Sequence, residues 1–172
     1  MCVLYDFKQS VEREEADGKS LVPPARFWLS GCMSVFRKSF SLSTTGHRHM
    51  QDITDSVREV VCASGIRTGT VHVFNIGSTG VIGTVEFEPG LERDVPEMLD
   101  RLMPPSRDYG HEQTWHDGNG HSHLQATTLG PDLTVPVGQG DLMLGTWQQI
   151  FHLECDIKPR TREIVVTVNG DA

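Results

Sequence analysis

The chain has 172 residues, of which 37% are hydrophobic and 22% charged, and its formal net charge is −8. That length supports one domain with its own hydrophobic core, so disulfides are not needed for folding. The acidic balance excludes a general nucleic-acid binder, although a locally positive site can still take an anionic small molecule. No apolar run approaches the length of a membrane-spanning helix. Cys2, Cys32, Cys62 and Cys155 are scattered, without a CxxC pair, which reads as reduced thiols in a cytoplasm.

Residues 1–32 differ from the rest. The piece VEREEADGKSLVPP mixes charges with Gly and a Pro pair and has no sustained period. The basic start and apolar block of a secretory signal are missing. The expectation is a flexible extension over 1–32 followed by a single compact domain over 33–172 that starts at Met33. From Ser34, SVFRKSFSLST has the composition of a strand. Gly46-His47-Arg48-His49 reads as a solvated turn. Asp52 or Thr54 then caps a helix with an apolar face of Ile53, Val57, Val60 and Val61, and Gly65 ends it.

Thr70 to Ile76 is a β-branched strand and Val81 to Phe87 a second one, so the two read as a hairpin or as neighbours. The turn between them, Gly77-Ser78-Thr79-Gly80, offers backbone N–H groups and two hydroxyls that suit phosphate or carboxylate. Leu91 to Met103 reads as a helix with Leu91, Val95, Met98, Leu99 and Leu102 buried and its charges solvated; Pro104-Pro105 ends it. After a glycine-bearing loop, Asn119 is placed to cap a short helix through Ser122, His123, Leu124 and Ala126. On that helix His123 shares a face with Ala126 and Thr127, whereas His121 does not and reads as exposed. Asp132 to Val137 is a strand that resumes at Leu142 to Leu144. Trp147 to Asp156 and Arg162 to Val168 read as strands paired across Lys158-Pro159-Arg160, with Trp147 as a core anchor. Strands outnumber helices, which predicts an α+β domain with a mainly antiparallel sheet or sandwich and two to three helices.

The chemistry concentrates between Tyr109 and Gln148, which holds His111, His116, His121 and His123 together with Asp117 and Asn119. Imidazole and carboxylate groups at this density suit metal binding, phosphate binding or proton transfer. His111 and His116 share one loop and His123 follows on the helix, so these three are the candidate ligands of a divalent ion of the zinc or magnesium class. His111, His116, Asp117, Asn119, His123 and Gln148 form the candidate catalytic set.

Tyr109-Gly110-His111, Ser122-His123-Leu124, Leu129-Gly130-Pro131, Val135-Pro136-Val137, Gly140 through Gln148 and Pro159-Arg160-Thr161-Arg162 together carry a family resemblance. From Met33 onward the chain resembles the YjbQ-like, or secondary thiamine-phosphate synthase, family. The resemblance implies a small α+β sandwich assembled as a homotrimer, with histidine-rich sites near subunit contacts that hold a metal or an anion. It also implies an enzyme joining hydroxymethylpyrimidine diphosphate to a thiazole phosphate, with Ser78, Thr79, Gly145, Thr146, Trp147 and Arg160 as candidate substrate-binding residues and a phosphorylated small molecule as substrate. A metal-dependent enzyme on another anionic molecule and a non-catalytic ligand- or metal-binding trimer are the alternatives. The chain departs from the family's His-Thr-Ser turn, reading Gly77-Ser78-Thr79, and His116 is the candidate replacement for that missing imidazole. It also has Asp132 where the family has Ser.

Overall fold

The structure is a computed structural model and describes residues 33–106 and 108–172. The expected flexible extension over 1–32 lies outside the described residues. Among them are eight strands and three α-helices, in the order β1 (Ser34–Ser43), β2 (Met50–Asp52), α1 (Thr54–Ser64), β3 (Thr68–Ile76), β4 (Gly80–Val85), α2 (Pro89–Leu102), α3 (Gly120–Leu129), β5 (Asp132–Gly138), β6 (Asp141–Leu142), β7 (Gln149–Glu154) and β8 (Thr161–Asp171). A short 3-10 helix, Gly110–Gln113, precedes α3.

Every strand pairing is antiparallel. One sheet has the order β1-β8-β3-β5-β6 and the other β2-β7-β4. The α+β expectation holds, but two expected pairings do not. β3 and β4 are not a hairpin, because Gly77–Thr79 carries the chain from one sheet to the other. β7 and β8 likewise lie in different sheets, and the turn between them crosses the sandwich.

The side-chain period of two explains how the layers stack. Inward residues of β3, β5 and β8, among them Val71, Val135, Ile164 and Val166, pack against Val57, Val60 and Val61 of α1 and against Ile82 and Ile150 of the smaller sheet. The other face of the smaller sheet carries Met50, Val81, Phe151 and Leu153, which pack on Leu99 of α2 and Ala126 of α3. Both faces of β7 are therefore covered, and Ile150 to Glu154 are all buried.

Two helix starts show local sequence chemistry at work. Asp52 accepts hydrogen bonds from the Thr54 N–H at 2.8 Å and the Thr54 hydroxyl at 2.6 Å, so Asp52 supplies the oxygen that orders the first turn of α1. The Glu88 carboxylate accepts from Gly90 and Leu91 N–H groups ahead of α2. The expected stripe of α2 is only half buried, since Met98 and Leu102 are exposed.

Alternation along β7 aims Ile150, His152 and Glu154 between the sheets. His152 Nε2 donates to Asn75 Oδ1 of β3 at 3.2 Å, and its Nδ1 has no partner. Burial pushes the imidazole down from 6.5 to about 4. The folded protein thus keeps this ring neutral to about pH 4, while the unfolded chain takes up the proton near 6.5. Between those values the unfolded state binds more protons, so stability falls as pH falls through that window. Burial of His121, reinforced by the neighbouring His47, acts in the same direction. Denaturant melts at pH 7 and pH 4.5 are expected to differ by on the order of 2–3 kcal/mol. In His152→Gln this difference should shrink without vanishing, and an unchanged difference would remove His152 as its main source.

Candidate functional site

The floor of the site is a buried polar network at one end of the sandwich. Arg162 of β8 donates to Glu154 from Nε at 2.7 Å and from Nη2 at 2.5 Å, with 8% and 0% of the two side chains exposed. Thr44 donates to Glu154 Oε2, and the Asp156 N–H to Oε1, so both carboxylate oxygens are satisfied. Arg162 Nη2 also donates to Thr79 Oγ1 at 2.7 Å, and Thr79 in turn donates to Asp156. Arg160 holds Asp156 through Nε and Nη2. Burial works against ionising Asp156, but these bonds and the Lys158 N–H outweigh it and hold its carboxyl below the usual range.

This network dictates the Gly77–Gly80 turn above it. Gly77 has φ +141°, and a Cβ there would lie 2.7 Å from Arg162 Nη1. An imidazole at this position would require both the backbone and the buried guanidinium to move. Thr79 is buried and its hydroxyl is committed below the turn, so it does not face the ligand side. Ser78 does. With Gly77, Gly80, His123, Ala126, Thr127 and Pro131 it lines a cavity of about 130 Å³. The expected shared face of His123, Ala126 and Thr127 is the α3 wall of that cavity.

His123 lies against His111, with ring centroids 4.6 Å apart and planes tilted by 46°. His111 Nε2 is 3.3 Å from Asp117 Oδ1 but makes no hydrogen bond. His116 is exposed, with φ 55°, at the tip of the loop. Among the described residues no three His, Cys, Asp or Glu side chains are grouped as a cation site. The side chains thus bring together His111, His123 and Asp117 but do not fit a preformed three-histidine metal centre.

Asn119 occupies the cap position of α3, yet its side chain makes no cap bond and its Oδ1 is buried without a partner. Glu112 takes over that role from the 3-10 helix, as the sequence did not reveal. His121, expected to be exposed, is 1% exposed and stands edge-on to His47 with centroids 5.3 Å apart. His47 in turn contacts Asp100 of α2 and the Cys155 carbonyl, and Asp100 also accepts from Arg48 and Gln125. Burial opposes ionisation of Asp100, but Arg48, Gln125 and His47 together hold its carboxyl low. The Gly46–His49 turn is therefore clamped to α2 and α3 rather than free in solvent. Alternation of charged with apolar residues in IFHLECD was the available signal for the Glu154 layer. The strand order that brings Arg162 to it is not written in local sequence.

The remaining candidates lie elsewhere. Gly145, Thr146 and Gln148 line a separate open hollow of about 400 Å³ with Asp52, Asp55, Arg58 and Asp141. Gln148 accepts from the Gly145 N–H and donates to Thr84. Trp147 is 71% exposed and precedes β7, so it is not the expected core anchor. Arg160 is occupied by Asp156.

A sequence-family model described as "UPF0047 protein YjbQ-like" matches residues 38–171. A UPF0047 protein of Methanothermobacter thermautotrophicus is 42% identical over 138 residues, which cover 80% of this chain and 94% of that protein. The UPF0047 protein YugU of Bacillus subtilis is 31% identical over 135 residues, 77% and 98% of the two chains. Among solved structures, a YbjQ-like protein of unknown function from Sulfolobus solfataricus superposes with a TM-score of 0.76 at 37% identity, covering 81% of this chain and all of that one. A yjbq/upf0047 family protein of Clostridium acetobutylicum superposes with a TM-score of 0.70 at 33% identity, covering 76% of this chain and 98% of its own.

Two substitutions separate what is buried from what is displayed. Arg162→Met strands the Glu154 charge between the sheets and should cost roughly 3–5 kcal/mol. Trp147→Ala removes an exposed ring and should change stability by less than about 0.5 kcal/mol. Chemical denaturation checks both, and a large loss for Trp147→Ala would return that residue to the core.

Proposed function

The chain belongs to the UPF0047 YjbQ-like family, and on that premise we propose that it is an enzyme acting on a phosphorylated small molecule at the His111–His123 pair. The observation that carries this reading is that His123, in contact with the imidazole of His111 from another element, lines a cavity together with Gly77, Ser78 and Gly80. Imidazoles move protons near neutral pH, and a glycine-bearing turn with the Ser78 hydroxyl at the cavity suits an anionic moiety. Asp117 places a carboxylate 3.3 Å from the His111 Nε2.

The specific reaction proposed is the one the family resemblance implies, the joining of hydroxymethylpyrimidine diphosphate to a thiazole phosphate. In it the thiazole nitrogen forms a bond to the pyrimidine methylene carbon as the C–O bond to pyrophosphate breaks; Ser78 and the turn would hold the departing pyrophosphate, and His123 would donate a proton to it. A cavity of about 130 Å³ suits one such moiety rather than both joined substrates. The homotrimer belongs to the same reading, because a neighbouring subunit would supply the missing wall. A cytoplasmic location belongs to it as well; among the described residues no helix is long and apolar enough to cross a membrane. The expected divalent ion is kept as a separate proposal, and it would require the loop bearing His116 to close over the His111–His123 pair. Metal content of the purified protein, compared between His123→Ala and its parent, measures that.

The direct test is turnover of the two phosphorylated substrates by the parent, His123→Ala and Trp147→Ala. Loss of roughly 100-fold in kcat/KM for His123→Ala alone is expected. Equal turnover by all three would remove His123 from the reaction. A screen in which only other phosphorylated molecules react would keep the site and replace the substrate.

A further inference from the structure

We infer that Glu112 is a positioning residue that sets the His111–His123 geometry by tying the two arms of the 111–120 loop together; this rests on the site proposed above. Glu112 is 6% exposed. Its Oε2 accepts from the Gly118 N–H at 2.7 Å and its Oε1 from the Gly120 N–H at 2.9 Å. One carboxylate thus bridges the 3-10 helix to the first residue of α3. It sits where a helix N-terminus favours negative charge, and it satisfies an N–H that the Asn119 side chain leaves unserved.

The two arms carry one imidazole each. On the first arm, the 3-10 helix is closed by Glu112 N–H to the Tyr109 carbonyl at 2.9 Å and by Thr114 N–H to the His111 carbonyl at 3.1 Å, which fixes the direction of His111. On the second, His123 is the fourth residue of α3. Gly120 lets the arms close. A Cβ there would lie 2.8 Å from Tyr109 Cβ and 3.2 Å from both His111 Cβ and Glu112 Oε1. The sequence order His111-Glu112 therefore places the strut directly beside the group it orients, and the absent side chain at 120 sets how near the rings come. Because the protein's own carboxylate fills the α3 N-terminus, a substrate phosphate is directed to the Gly77–Gly80 turn instead.

Glu112→Gln keeps the side-chain volume but leaves one acceptor oxygen for two N–H donors, so one strut is lost while packing is retained. The full-length protein is used, with three readouts: the proton–proton contact between the His111 and His123 rings by NMR, thermal unfolding, and kcat and KM on the proposed substrates. Glu112→Gln is expected to lose the ring-to-ring contact and to shift both imidazole resonances. It should lower kcat by roughly 10- to 100-fold, with a smaller change in KM, and keep a cooperative melt. Asn119→Ala, whose side chain makes no cap bond, should keep the ring contact. Parental ring resonances and an intact contact in Glu112→Gln would overturn the inference. Loss of the contact with no change in turnover would support the positioning role and sink the proposed site instead. Should Glu112→Gln not fold, hydrogen exchange on the parent decides: protected Gly118 and Gly120 amides support the strut, and amides exchanging at loop rates overturn it.

Discussion

Two opposite charges, Glu154 and Arg162, are buried between two sheets, and the candidate site depends on them. Burying either alone would cost several kcal/mol, so the pair persists only because Thr44, Thr79 and the Asp156 N–H complete its hydrogen bonding. That requirement brings the Gly77–Gly80 turn against Arg162, where a side chain at position 77 would crowd the guanidinium and strain a backbone with φ +141°. The same end of the sandwich contains Cys155, whose thiol burial pushes up to about 12. That thiol stays protonated at neutral pH and is no nucleophile.

The side-chain positions bring two of the three candidate histidines together. An imidazole at position 77 would meet the Arg162 guanidinium, and His116, the sequence's candidate substitute, stands exposed at the loop tip. What remains is a pair, His111 and His123, beside one carboxylate. A pair with an adjacent anion-favouring turn is suited to proton transfer next to a phosphate. The Asp52–Asp141 hollow that holds Gln148 is a different environment, where Asp55 and Asp141 pair with Arg58.

Much of the fold was legible in the sequence. The spacing of Val57, Val60 and Val61 identified α1, and the β-branched runs identified β3, β5 and β8. Pairing was not legible, because TVHVFNI and VIGTVEF carry no local sign that the turn between them changes sheets. Trp147 was misplaced since aromatic content argues for burial, yet β7 starts two residues later and the ring points outward. His121 was misplaced in the opposite sense, since its burial comes from the Gly46–His49 turn folding onto α3. The His111–His123 meeting was legible from one loop followed by one helix. Its support by Glu112 was not, because a capping carboxylate eight residues before the helix start has no sequence signature.

The proposed site would hold a phosphate-bearing ligand between Ser78 and His123, above the Arg162 network. A crystal structure of the protein soaked with inorganic pyrophosphate tests this most directly. Density is expected in the cavity lined by Gly77, Ser78 and His123, with the Glu154–Arg162 pair unmoved beneath it. Pyrophosphate bound instead beside Arg58 and Gln148, with the His123 cavity unfilled, would contradict it.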